Sequence, residues 1–236
     1  MNPRQLDRQR RFARMASRQK EAAEREGVGQ QAIAELTKNP NWEHGDRQFR
    51  QRYPGNKMFA GGTYRVEHIR GGKKIAEYTF KNGITNQGLN DILEVAFNGG
   101  TQKTAWYMGL INLSGFTALD ATDIYDDINQ AGNGWDTFVD YTDANNGSST
   151  TTRPEWPANA ASGESISNTT QAIYDITGSG TVKGIFIAGG TNSQTKGDHT
   201  LSGNILWSTA LFAGGDVVVA ASDQLKVTYT VNAAAS

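Results

Sequence analysis

Along the C-terminal two-thirds of the chain, apolar residues keep to alternate positions, the period of a pleated strand with one buried face. In residues 171–190, QAIYDITGSGTVKGIFIAGG, Tyr174 and Ile176 precede Gly178-Ser179-Gly180, and Val182 and Phe186 follow it. Glycines reach positive φ without strain and close tight turns, so the stretch predicts a hairpin. Residues 224–231 repeat the period without a gap: Leu225, Val227, Tyr229 and Val231 alternate with Lys226, Thr228 and Thr230. Residues 104–111 are apolar on both faces, as expected of a strand in the middle of a sandwich.

Earlier in the chain, residues 63–70 alternate around Tyr64, Val66 and His68. They reverse at Gly71-Gly72 and return over 74–80 with Ala76, Tyr78 and Phe80 on one side, a second hairpin. Thr85 or Asn86 then caps a helix whose Leu89, Ile92, Leu93, Ala96 and Phe97 recur at i, i+3, i+4, i+7 and i+8, and Asn98-Gly99-Gly100 ends it. That stripe predicts a helix lying across an end or face of the sheets. Further strands are expected at 135–141, 201–212 and 217–220, separated by long polar stretches at 113–134 and 144–162. Loops of that length are uncommon unless they are functional or ordered by contacts with another chain. The pattern describes a mainly β protein, a β-sandwich of jelly-roll or immunoglobulin-like topology with one packed helix.

Residues 1–60 read differently. Asn2-Pro3 opens a helix, and the run to Arg25 is rich in Arg, Gln, Ala and Glu. Its apolar residues are few (Leu6, Phe12, Met15 and Ala16), too narrow a stripe to hold an isolated helix, so it orders against a partner. Gly27-Val28-Gly29 interrupts it, Ala32, Ile33 and Leu36 suggest a second short helix before Asn39-Pro40, and the chain then runs extended past Trp42, Phe49 and Tyr53. The expected organisation is an extended, partly helical, basic N-terminal arm over 1–60 and a β-sandwich body over 61–236.

Charge sharpens that division. The formal net charge of the 236 residues is -1, yet residues 1–85 hold 18 Lys+Arg and 9 Asp+Glu, a net of +9. Residues 86–236 hold 5 and 15, a net of -10. Such asymmetry points to contact with an acidic partner or an acidic subunit. With no cysteine, disulfides, thiolate nucleophiles and Cys-ligated metals are excluded. No apolar leader or 18-residue apolar run is present, which predicts a protein made in a cytosol without a membrane partner.

The sequence offers little for chemistry. His44, His68 and His199 stand apart and outside metal-binding spacings, and no nucleophile elbow or phosphate loop occurs. No catalytic residue, metal site or cofactor is expected. Asp120, Asp123, Asp126 and Asp127 form an acidic loop without the calcium-loop order. Asp136 with Asp140 or Glu155 is a candidate carboxylate pair whose separation the sequence does not fix. Trp135, Trp156 and Trp106 are candidate platforms for a sugar, although Trp106 in its apolar strand reads as core and Trp156 in Arg153-Pro154-Glu155-Trp156 reads equally as a subunit-interface anchor beside Arg153. In the arm, Arg10, Arg11, Arg14 and Arg18 with Phe12, Trp42, Phe49, Arg50 and Tyr53 are the candidate binding residues. Intervening acids and the lack of an interleaved aromatic platform argue against nucleic acid and for an acidic protein surface.

The ordered series 83–93 (GITNQGLNDIL), 106–111 (WYMGLI), Gly134-Trp135, 153–156 (RPEW), 166–169 (ISNT), 181–189 (TVKGIFIAG) and 223–231 (DQLKVTYTV) resembles a group of structural proteins of tailed bacteriophages. The resemblance spans about residues 83–231 and leaves the arm outside it. Where that group tends to carry a His before Gly134-Trp135, this chain has Asn129-Gln130-Ala131-Gly132-Asn133, which removes support for a shared catalytic or metal site there. Together with the physics, the resemblance implies a capsid decoration (cement) protein on the exterior of the virion. Such a protein clamps the major capsid protein across subunit boundaries, usually as a homotrimer. The alternative it leaves open is a tail or baseplate component that binds host glycan through its Trp-bearing loops.

Overall fold

A computed structural model describes residues 58–130, 135–197, 199–200 and 203–235. The chain order is β1 (Met58–Arg70), β2 (Lys73–Lys81), β3 (Gly83–Ile84), α1 (Asn86–Phe97), β4 (Trp106–Asn112), β5 (Thr137–Phe138), β6 (Tyr141–Asp143), β7 (Ser165–Ser167), β8 (Ala172–Ile176), β9 (Gly180–Gly189), β10 (Ile205–Leu211), β11 (Val217–Val219) and β12 (Gln224–Ala235). Two antiparallel six-stranded sheets enclose one core. One runs β2-β1-β12-β8-β6 with β7 also on β12, and the other runs β3-β10-β9-β4-β5 with β11 also on β9. The mainly β sandwich expected from the sequence is present. The arm candidates Arg10, Arg11, Phe12, Arg14, Arg18, Trp42, Phe49, Arg50 and Tyr53 lie outside the described residues.

The first hairpin forms where the sequence places it. Gly71 and Gly72 have φ of +55° and +74°, so both central turn positions need the freedom glycine has, and Arg70 pairs with Lys73 across them. Along β1 the buried positions Tyr64, Val66 and His68 stand opposite Tyr229, Val227 and Leu225 of β12. Tyr64 stacks on Tyr229 with centroids 4.4 Å apart, and Phe80 adds a second ring 5.4 Å from Tyr64. Each such ring, moved from water into this core, contributes about 2–3 kcal/mol. The Tyr229 hydroxyl is satisfied as well: Asn82 Nδ2 and Trp207 Nε1 donate to it at 2.7 and 3.1 Å.

The stretch expected to be a central hairpin is not one. β8 lies in the first sheet against β12, while β9 is the centre of the second sheet, between β4 and β10. The intervening glycines carry the chain across the sandwich. Alternation identifies a buried face, and both strands do turn one inward: Tyr174, Ile176, Val182, Ile185 and Ile187 all enter the core. Alternation does not identify the sheet. The segment 135–141 makes the same crossing, with β5 in one sheet and β6 in the other. The two crossings are joined, because the Asp140 carbonyl accepts from Thr177 and Gly178 amides at 2.9 and 3.3 Å.

A bulge adjusts β9. Ile111 pairs with Gly184 but Asn112 with Val182, so Lys183 is the extra residue. Beyond it the alternation changes face. Ile185 and Ile187 point with Val182 into the main core, while Phe186 and Ala188 point outward. The expectation that Phe186 shares a face with Val182 is thereby corrected. Outward there is no solvent, because the long polar stretch after β4 folds back and covers this face. Ile111, Tyr125, Ile128, Trp135, Phe186, Ala188 and Leu206 make a second buried cluster beneath it. That cover explains why β4 is apolar on both sides.

The helix departs from expectation in its packing. Thr85 caps it, its hydroxyl accepting the Gly88 amide at 3.0 Å and donating to the Leu206 carbonyl. Gln87 Oε1 accepts the amides of Tyr125 and Leu206, and Gly88 lies so close that a Cβ there would stand 2.5 Å from the Trp207 carbonyl oxygen. Beyond this turn Leu89, Ile92 and Val95 are half-buried and Asp91 pairs with Lys103 at 3.5 Å. Leu93 is 53% and Phe97 79% exposed, so the apolar stripe read as core-facing is partly turned outward.

Candidate binding surface

Arg153 and Trp156, read from the sequence as anchors for another copy, are both buried within the body. Residues 153–156 act as an added strand on β4: Met108 N donates to Pro154 O at 2.9 Å, Trp156 N donates to Trp106 O at 2.7 Å, and Tyr107 bridges Glu155. Side chains of such a strand fall on alternate faces, so the two large ones part. Arg153 enters the outer cluster, where its guanidinium lies 5.1 Å from the Phe186 centroid and 5.9 Å from that of Tyr125. It donates to Tyr125 Oη and to the Ser193 carbonyl at 2.9 and 2.8 Å. Trp156 enters the main core and donates through Nε1 to the Tyr229 carbonyl at 3.0 Å. The motif therefore staples the two clusters together and has little side-chain surface to offer outside. A proline-flanked run in a polar stretch gave no sign of burial; the odd spacing of Arg153 and Trp156 is the one cue that a strand sends them to opposite faces.

The sugar-platform reading meets the same correction. Trp135 is 1% exposed, tilted against Phe186 and bonded through Nε1 to Asp123 Oδ2 at 3.0 Å, so neither it nor Trp156 presents a ring face for stacking. Of the candidate carboxylates, Asp136 sits at the entry to β5, Asp140 in the crossing after it, and Glu155 on the added strand, where it is exposed.

Three of the acidic loop's four carboxylates bond its own backbone, and the fourth, Asp126, faces His199 at 3.9 Å. Asp120 Oδ1 accepts from Thr122 N, Asp123 Oδ2 from Asp120 N, and Asp127 Oδ2 from Ile124 N, all within 3.0 Å. Burial pushes the Asp123 carboxyl up. Among the described residues, no group of three or more His, Asp or Glu side chains converges as metal ligands.

His68, incidental in the sequence, belongs to a knot at the hairpin end of the first sheet. Asp223, itself buried, accepts Arg70 Nε at 2.7 Å, Arg70 Nη2 at 2.6 Å and the Ala220 amide at 2.8 Å, and it is bonded to His68 Nε2 at 2.8 Å. The Arg70 guanidinium holds this carboxyl far below its ordinary range. The cue in the sequence was His68 keeping the alternation of Tyr64 and Val66.

Two outward features remain. Among the described residues β2 is an edge strand, and its Lys73, Lys74 and Lys81 guard it against pairing with other strands. Arg65 and Lys74 both bind Glu77, at 2.8 and 2.7 Å, and hold its carboxyl down at about 2. The second feature is the outer half of α1, which exposes Leu93, Glu94 and Phe97 and has no basic residue, while Asp91 pairs with Lys103 at 3.5 Å. No described helix is long and apolar enough to cross a membrane. No protein-family model matches the chain, and no curated protein matches it.

Proposed function

We propose that the protein is a structural component of a bacteriophage virion, a decoration protein that clamps neighbouring capsid subunits through its basic N-terminal arm and turns over no substrate. The observation that carries the reading is where the motifs of the resemblance fall. GITNQGLNDIL is β3 and the capped first turn of α1; WYMGLI and TVKGIFIAG are the paired centre of one sheet; RPEW is the staple; DQLKVTYTV is the central strand of the other sheet, headed by Asp223. Each supplies a pairing, a cap or a core side chain. A series of framework motifs is what a family held together by architecture retains.

The charge division supports the same reading. The described fold begins at Met58, behind 57 residues holding 13 Lys+Arg and 7 Asp+Glu. Cationic segments of low apolar content order on binding, wrap large areas and favour acidic surfaces. The glycan-binding tail alternative draws no support from Trp135 and Trp156, which are buried. Copy number in purified particles, measured by quantitative mass spectrometry against the major capsid protein, tests the reading. A decoration protein is present in numbers comparable with capsid subunits; a handful of copies per particle would place it elsewhere and overturn the proposal.

A further inference from the structure

Phe97 is the most exposed large apolar side chain among the described residues, and Leu93 lies one helical turn before it. At i, i+4 the two form one continuous apolar spot on α1. We propose that this spot is the seat for the basic stretch 4–18 of a second copy of the chain. The inference rests on the reading of the protein as a multi-copy virion component and names a partner for part of its arm.

The match is chemical. The exposed side of the helix offers the Glu94 carboxylate and the helix has no basic side chain of its own; Asp91 is mostly covered and pairs with Lys103 at 3.5 Å. The stretch RQLDRQRRFARMASR carries six arginines against one aspartate, with Phe12, Met15 and Ala16 at the spacing that puts apolar side chains side by side. Apolar contact at Leu93 and Phe97, ringed by arginines facing Glu94 and the acidic body, satisfies both components. The edge strand β2 is the competing seat, and its three lysines repel the same stretch.

Reach is sufficient. Some 40 residues separate Arg18 from β1, a span of up to about 130 Å when extended. Each copy then offers one basic stretch and one helix. Contacts of this heterologous kind link copies in series, as a layer of clamps on a shell requires.

The chain has no cysteine, so single introduced thiols report contacts without background. F12C and F97C, made as separate full-length proteins, are mixed, oxidised and resolved on non-reducing gels, with the mixed disulfide identified by mass spectrometry. I75C, whose site on the basic edge is 50% exposed, replaces F97C as the control. Docking raises the local thiol concentration, so the F12C–F97C yield should exceed the F12C–I75C yield by about tenfold. It should fall in high salt, which screens the arginines, and on adding L93E to the F97C protein. M15C, three residues after Phe12, should repeat the pattern if F12C itself perturbs the stretch. Equal yields with F97C and I75C for both thiols would overturn the proposal. A failed crosslink with high copy number on particles removes only the docking, whereas crosslinking with few copies per particle removes only the decoration reading.

Discussion

The two apolar clusters on opposite faces of β9 hold similar side chains and come about in different ways. The inner one is made by strands: Tyr64, Val66, Val227, Tyr229, Ile185 and Ile187 reach it by alternation from two sheets. The outer one is closed by a loop: β4, β9 and β10 supply Ile111, Phe186, Ala188 and Leu206, and Tyr125 and Ile128 come from the polar stretch with Trp135 just beyond it. A buried arginine lies over the Tyr125 and Phe186 rings. The inner cluster excludes water through periodic sequence and ladder hydrogen bonds. The outer one relies on a few specific ties from Arg153, Asp123 and Gln87. Disrupting the first should unfold the body, and disrupting the second should free a cover.

The largest effect is expected from Tyr229→Ala, which removes a buried ring stacked on Tyr64 and the acceptor of two half-buried donors. A loss of about 3–5 kcal/mol is predicted, as a single cooperative shift in chemical denaturation. Next comes Arg153→Ala, which leaves Tyr125 Oη and the Ser193 carbonyl without this donor. Here the expected loss is about 2–3 kcal/mol. Its signature is local: hydrogen exchange should accelerate over residues 119–130 while β1 and β12 stay protected.

Acid should separate the two regions. The folded Asp223 carboxyl is held below its ordinary value of 3.8 chiefly by Arg70, so its contribution is complete above that value and is lost as pH falls through the lower folded one. The folded Asp123 carboxyl is raised, chiefly by burial, so its charged form opposes folding at neutral pH and the penalty lifts as pH falls through the raised value. Denaturation midpoints across acid pH should therefore lose part of their downward slope in Asp223→Asn and steepen in Asp123→Asn. The smallest effect belongs to Phe97→Glu. With the ring outside both clusters, stability should stay within about 0.5 kcal/mol of the parent.

The same contrast explains what the sequence discloses. The hairpin at Gly71-Gly72, the Thr85 cap, the bifacial β4 and the long β12 are local or periodic, and each forms where its pattern predicts. The crossings after β5 and β8 are not legible, because period reveals the buried face and is silent about the sheet that face belongs to. The outer cluster is hidden for a related reason: Tyr125, Ile128 and Trp135 are dispersed among aspartates and glycines with no repeat to connect them. Arg153 and Trp156 are not legible as core, because a charged residue between threonine and proline reads as surface, whereas two aromatic rings and a carbonyl receive it. The helix departs the other way: its periodic stripe overstates how much of it is covered.

The central claim is that residues 58–236 fold by themselves and that the residues ahead of them bind the particle. The direct measurement compares the full chain with one lacking residues 2–57, scoring denaturation midpoint and occupancy on particles stripped of the protein. The account predicts an unchanged midpoint and lost occupancy. Undiminished occupancy by the shortened chain would contradict it.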